Sequence, residues 1–239
     1  MPDLFYDLHI HSCLSPCGDD ESTPANIAML AKMLGLNVAA LTDHNSCKNC
    51  PAFFEAAKAA ELLPIAGMEL TTQEEIHVLC LFPELDNAME FDKYVHERIM
   101  PIKNKPEVYG NQLVKNSEDE TVDIEEICLI NATDIDFYSV KPLVKSYGGI
   151  MIPAHIDRKS FSLINSLGGV PPDAGFDCVE IKYPEAVENL TAKHPYIGEC
   201  KVIFDSDAHY LENISMPNNK LSVDGMTAKA VLQAVSGQL

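Results

Sequence analysis

The sequence predicts an α/β fold, a barrel of about seven βα units, and three observations point to it. Seven apolar runs of 6 or 7 residues, rich in Val, Ile, Leu or Phe, lie at 4–10, 37–42, 63–69, 76–82, 149–154, 177–182 and 201–206. Helical patterns fall between them, and near-continuous apolar strands alternating with helices imply a parallel sheet covered on its outer face. The residues able to do chemistry gather at the downstream ends of these runs, where barrel enzymes build their sites. A barrel suits this better than an open sheet, because side chains from all seven strands must converge on one point.

The first run ends in Asp7-Leu8-His9-Ile10-His11, and alternation along a strand puts His9 and His11 on one face. The first helix is signalled by Thr23 as N-cap, Pro24 at N1, then Ile27, Leu30, Ala31 and Leu34 on one stripe, with Gly35 as the stop. The second run leads into Thr42-Asp43-His44, and a helix is predicted near 52–62. The third run closes on Glu69 and the fourth opens with Ile76-His77-Val78.

Residues 83–148 separate the fourth and fifth strands by far more than a usual βα connection and are predicted to be an inserted helical cap. Within it, Asn116–Glu120 reads as an exposed turn and Asp123–Ile130 as the opening of a helix. Such an insertion serves as a lid or specificity element, or is a plain solvated excursion. The fifth run leads into Ala154-His155 and the seventh into Asp207-Ala208-His209, with helices expected near 160–167, 184–190 and 227–235.

Composition sets the bounds. With 239 residues and 46% hydrophobic content the chain can bury one large core, so residues 1–239 are expected to form a single domain. No stretch approaches the ~18 apolar residues of a membrane span, and Met1-Pro2-Asp3-Leu4 lacks a secretory pattern, so no membrane partner and a cytoplasmic location are expected. Cys80 and Cys178 lie inside apolar runs, where a free thiol packs as a small hydrophobe, and the eight cysteines read as mostly reduced. The formal charge of −19 opposes binding of long nucleic acid, which rests on lysine and arginine neutralising phosphates. A small substrate is expected instead, and the sequence gives no reading of oligomeric state.

Six of the eight histidines, His9, His11, His44, His77, His155 and His209, sit at strand ends. Histidine is the commonest metal ligand, and carboxylates such as Glu69 and Asp207 bring the negative charge that lets one site hold several divalent ions. The pattern points to a polynuclear site, whose ions would attract an anionic substrate that the acidic surface alone repels.

Asp7-Leu8-His9-Ile10-His11-Ser12, Leu41-Thr42-Asp43-His44-Asn45, Pro153-Ala154-His155 and Ser206-Asp207-Ala208-His209, in that order and together with Glu69 and His77, resemble the polymerase and histidinol phosphatase family, the PHP domains. The resemblance implies a distorted (β/α)7 barrel, here with the helical insertion between the fourth and fifth strands, and two or three divalent ions (Zn, Mn or Fe). It also implies phosphoester hydrolysis. Carried over residue by residue, the family's nine ligands fall on His9, His11, Asp19, His44, Glu69, His77, His155, Asp207 and His209. Asp20 is the alternative to Asp19, whose distance from Pro24 fits better. Glu69 looks like a carboxylate bridging two ions, with His9, His11 and Asp207 on one side and His77 and His155 on the other, while Asp19, His44 and His209 hold the third.

Such ions lower the pKa of a shared water and aim a hydroxide at phosphorus. His209 or His44 could instead protonate the leaving oxygen. Asp43 faces away from His44 and reads as an orienting group or helix cap. Arg158, one of only two arginines, lies three residues beyond His155 and could fork onto a phosphate; the plainer alternative is a surface ion pair. Lys159 and Lys182 are weaker candidates for the same role. His96 and His194 read as ordinary surface residues, and Cys47-Lys48-Asn49-Cys50 has the spacing of a redox or zinc pair but no second pair in sequence, so a role beside His44 rests on whether Cys13 and Cys17, which also border the site, meet it in space. The expected activity is hydrolysis of a small phosphorylated metabolite, a nucleotide favoured. Histidinol phosphate phosphatase, 3′–5′ exonuclease on oligonucleotides and a non-catalytic metal-binding module are the alternatives.

Overall fold

The computed structural model describes residues 3–171, 173 and 175–237. In chain order the elements are β1 (Asp3–Ile10), α1 (Pro24–Met33), β2 (Val38–Leu41), α2 (Cys50–Ala59), β3 (Leu63–Thr71), β4 (His77–Phe82), α3 (Leu85–His96), α4 (Pro106–Tyr109) and β5 (Leu113–Lys115). They continue with β6 (Thr121–Ile124), α5 (Phe137–Ser146), β7 (Ile150–Pro153), α6 (Leu163–Leu167), β8 (Cys178–Glu180), α7 (Val187–Lys193), β9 (Lys201–Ile203), β10 (Lys220–Ser222) and α8 (Ala228–Ser236). Each of the seven apolar runs holds a strand. The first helix begins as its sequence dictates: Asn26 N–H donates to Thr23 Oγ1 at 3.3 Å, and Gly35 ends it at φ +93°.

The architecture is a mixed α/β fold whose main sheet, in the order β10-β1-β2-β3-β4-β7, curls into a half-barrel. β8 and β9 form a separate parallel pair. Backbone bonds connect this region to the main sheet, from Ile156 N–H, just past β7, to Glu180 O at 3.0 Å, and from His11 N–H, just past β1, to Ala208 O, beyond β9, at 2.9 Å. Period-two alternation divides the strand side chains between two apolar clusters. Val38, Ala40, Leu79 and Leu81 pack with Val231, Leu232 and Val235 of α8, while Ala39, Leu41, Val78 and Cys80 pack with α1, α2, α3 and α5. No helix among the described residues is long and apolar enough to cross a membrane.

Two expectations need correction. The sheet is not uniformly parallel: β4 runs antiparallel to both β3 and β7, with Thr71 opposite His77. A parallel crossover needs roughly a dozen residues, and the short link between Thr71 and His77 can only make a hairpin. It closes with Thr72 N–H on Ile76 O at 2.9 Å. His77 therefore stands at the start of its strand, at the same end of the sheet as Glu69.

The predicted helix over 123–130 is also absent. Asp123 and Ile124 end β6, and the following backbone is claimed by one side chain: Gln112 Nε2 donates to the carbonyls of Glu125 and Ile127, each at 2.7 Å, and its Oε1 accepts from Leu129 N–H at 2.9 Å. A buried glutamine that satisfies three backbone groups removes the incentive for a helix. The expected turn at Asn116–Glu120 is the tip of the β5–β6 hairpin, where Asn116 Oδ1 accepts from the N–H groups of Glu118 and Glu120. Flanking that hairpin, α3 and α5 bury Phe91, Val95, Val140 and Val144 in the shared core.

Candidate metal centre

Glu69 is the hub. It is fully buried near the end of β3, locked by Glu69 N–H to Asp43 O and Asn45 N–H to Glu69 O, both 3.0 Å. Five imidazoles surround its carboxylate. Oε1 lies 3.3 Å from His9 Nε2, 3.0 Å from His77 Nδ1 and 2.9 Å from His155 Nε2; Oε2 lies 3.4 Å from His11 Nε2 and 3.0 Å from His44 Nδ1. Asp207 closes the other side, with Oδ1 3.5 Å from His9 Nε2, 3.4 Å from His11 Nε2 and 3.6 Å from His209 Nδ1.

Turns with positive φ aim these side chains. Asn45 (φ +49°), His155 (φ +28°) and Asp207 (φ +52°) each hold a conformation that residues other than glycine populate sparsely. Asn45 is fixed there by donating to Leu129 O at 2.7 Å and Asn131 O at 2.9 Å and by accepting from Thr71 N–H at 2.8 Å.

The tautomers follow from the bonding. Ser15 Oγ donates its only proton to Asp43 Oδ1 at 2.7 Å, so at 2.9 Å it accepts from His11 Nδ1–H and leaves His11 Nε2 bare. His9 Nδ1 faces Glu180 Oε1 at 2.9 Å and so donates, which aims its Nε2 into the cluster. The two Nε2 atoms stand 3.1 Å apart with the oxygens of Glu69 and Asp207 around them. Facing lone pairs repel unless a cation sits among them. His44 Nδ1 and Glu69 Oε2, both buried, lie 3.0 Å apart without the alignment of a hydrogen bond, and neither atom has a hydrogen-bond partner.

The electrostatics suit a cation. Burial pushes His11 and His209 below the ordinary imidazole value and His77 down to about 4, which keeps them neutral, the form that binds metal. Burial disfavours the charge on Glu69 and Asp207 as well. The imidazoles outweigh it, His77, His9 and His44 at Glu69 and His9 and His11 at Asp207, and hold both carboxyls well below their usual range. His9 moves the opposite way: burial opposes its charge, but Glu180, Glu69 and Asp207 together raise it. A cation bound there would relieve the repulsion between the two Nε2 atoms.

Three overlapping groups each bring one donor atom per residue within 4.8 Å of one another: His9, His11, Glu69 and Asp207; His44, Glu69 and His77; His11, His44 and His209. His155 touches Glu69 but stands outside these groups. Asp19 stands outside them too: it is half-buried, donates its N–H to His209 O at 3.1 Å, and spends Oδ1 on Glu21 N–H at 2.8 Å. Asp20 is exposed and accepts from Asn111 at 2.6 Å, turned toward the 83–148 segment.

Asp43 faces away from the cluster and holds Ser12 and Ser15. Arg158, 44% exposed, pairs through Nη1 with Asp207 Oδ2, a carboxylate of the cluster itself. Lys182 donates to Ser206 O beside it, and Lys159 is exposed. His96 and His194 lie away from the cluster, His96 3.8 Å from Glu125. All eight cysteines are free; Cys47 and Cys50 are buried and direct their thiols at backbone carbonyls.

Two contributors escaped the sequence. Glu180 carried a signal, a lone carboxylate inside an apolar strand that must find a partner when buried; Ser15 carried none.

The PHP domain family matches residues 7–145. The chain belongs to that family. Within this PHP domain the histidines and carboxylates form a cluster able to hold metal ions. Among solved structures it is similar to the lesion-specific endonuclease Q of Pyrococcus furiosus, with 19% identity and a TM-score of 0.69 over 99% of this chain and 56% of that one. It is similar to endonuclease Q in complex with a 27-mer duplex substrate carrying an abasic lesion, with 20% identity and a TM-score of 0.66 over 99% and 57%. A candidate metal-dependent phosphoesterase of Bifidobacterium adolescentis is 17% identical with a TM-score of 0.60, over 97% of this chain and 96% of that one. The PHP domain thus spans little more than half the length of the endonuclease Q chains and nearly all of the third. A search of curated proteins finds no match.

Proposed function

We propose that this PHP domain hydrolyses a phosphate ester of a small metabolite, a nucleotide favoured. The observation that carries the reading is the facing pair of bare Nε2 atoms 3.1 Å apart, beside a buried carboxylate ringed by five imidazoles. In this reading His9, His11 and Asp207 would hold one divalent ion, His44, His77 and His155 a second, with Glu69 shared between them, and His209 with Asp19 would contribute to a third. Bound ions supply Lewis acidity, activating water and neutralising charge on the phosphoryl oxygens. Around them the chain's own groups bind and orient. Arg158 at the mouth offers the unpaired part of its guanidinium to a phosphate. Of the two histidines considered for the leaving oxygen, His209 has 23% of its side chain exposed and His44 only 3%, so His209 is the one open to the departing group; burial favours its neutral form, which orients that group rather than protonating it.

Metal analysis of the purified protein followed by a screen of phosphate monoesters, diesters and oligonucleotides tests the reading; a protein that takes up no divalent ion, or cleaves none of these esters when loaded, refutes it. Arg158→Ala is expected to lower kcat/KM by about 10- to 150-fold, the value of a charge-assisted contact of roughly 1.5–3 kcal/mol. The loss falls on KM if the contact exists throughout and on kcat if it is made only in the transition state. Arg158→Lys restores part of it, since lysine keeps the charge and loses the fork. An unchanged kcat/KM in the alanine variant leaves Arg158 as an ion pair only.

A second reading, cleavage of a DNA phosphodiester, draws on the similarity to endonuclease Q bound to duplex. The −19 charge weighs against it, because duplex binding needs basic side chains along the phosphates.

A further inference from the structure

One carboxylate outside the proposed ligand set touches two members of it from behind. Glu180, at the end of β8, is almost fully buried, and its carboxylate hydrogen-bonds to His9 and His155. Oε1 lies 2.9 Å from His9 Nδ1, and Oε2 accepts from the backbone N–H of His155 at 2.7 Å while standing 3.1 Å from His9 Nδ1. His9 belongs to β1 and His155 follows β7, so a single side chain joins the first strand of the site to its far wall.

We propose that Glu180 is a positioning residue that makes both His9 and His155 ready to bind metal. This rests on the metal-site reading above and adds to it a group that need never touch an ion or a substrate. At His9 it fixes the proton on Nδ1, so that Nε2 presents a lone pair to the cluster. At His155 it holds the backbone N–H of a residue at φ +28°, a conformation that persists only where its surroundings enforce it. Both partners are buried donors, and a carboxylate turns nothing but acceptor oxygens toward them.

Glutamine at this position is close to isosteric but has one oxygen and one NH2. The amide must choose. The backbone N–H of His155 cannot give up its proton, whereas an imidazole can move its own from Nδ1 to Nε2. The favoured arrangement therefore sets the amide oxygen on His155 and the NH2 on His9, which turns Nδ1 into an acceptor and places the proton on Nε2, where it blocks the lone pair. Aspartate keeps two oxygens but is one methylene too short to reach both donors.

The test uses the full chain with Zn2+ or Mn2+ alone as the probe. Glu180→Gln is expected to stay folded, with the far-ultraviolet circular dichroism of the wild type, and to bind metal roughly 10- to 100-fold more weakly, as for a lost orienting partner. Glu180→Asp is expected to fall between the two. Imidazole 15N spectra should show His9 Nδ1 protonated in the wild type and unprotonated in Glu180→Gln, a change that loss of packing alone does not produce. If Glu180→Gln unfolds, the same spectra and titrations on Glu180→Asp decide, and wild-type values there overturn the proposal. Equal metal affinity in wild type and Glu180→Gln, or an unmoved Nδ1 proton, overturns it as well. A wild type that takes up no metal refutes the metal-site reading instead, and the His9 proton still reports whether Glu180 places it.

Discussion

Asp207→Asn is expected to give a folded protein that has lost at least about 100-fold in kcat/KM, with metal content reduced in parallel. A partner that merely orients a ligand costs up to that much, and Asp207 is more central than an orienting partner. It stands within 3.6 Å of His9, His11 and His209 and receives Arg158. Asparagine matches its shape and tolerates the φ of +52° at this position, so the backbone has no reason to move. What changes is charge: an NH2 group replaces one oxygen among three imidazoles, and the site keeps only Glu69 of its two clustered carboxylates. Phosphate release measured with saturating metal, beside metal content and a melting curve, checks this. Turnover near the wild-type value would place the chemistry elsewhere.

Metal loading should stabilise the chain by an amount that a melting curve resolves easily. The cluster packs six imidazoles and two carboxylates together, several with buried atoms that have no hydrogen-bond partner. An ion that binds only the folded state, supplied at 100 times its Kd, adds about 2.7 kcal/mol. For a chain of this size each kcal/mol shifts Tm by about 2–4 °C, so each ion raises the midpoint by roughly 5–11 °C. Chelation returns it. A Tm indifferent to both metal and chelator contradicts the site.

The parts of this architecture that the sequence revealed are those governed by local rules. Thr23, Pro24 and Gly35 mark a helix because caps act within a few residues. His9 and His11 announce a shared face because a strand repeats every second residue. Glu69 stands out as a carboxylate at the end of an apolar run. The reversal of β4 was legible in principle, since the link before His77 is too short for a crossover, but the apolar pattern of a buried strand carries no direction.

The failures are tertiary. Gln112 cancels a helix predicted for residues more than ten positions away, and no periodicity records that. Ser15 orients His11 through a bond to Asp43, 28 residues on, and serine is too common to signal such a role. Asp19 follows the first strand in sequence, yet its place is set by a backbone bond to His209, nearly the whole chain away.

That last contact, with the pairing of Ile10 and Ala208, has a consequence for how the protein matures. His9 leaves a ribosome some two hundred residues ahead of its neighbours Asp207 and His209. Until they arrive, the nascent chain carries histidines and no complete cage. Full ion capture therefore waits for residues 207 and 209, and a chain interrupted before residue 207 should emerge without it.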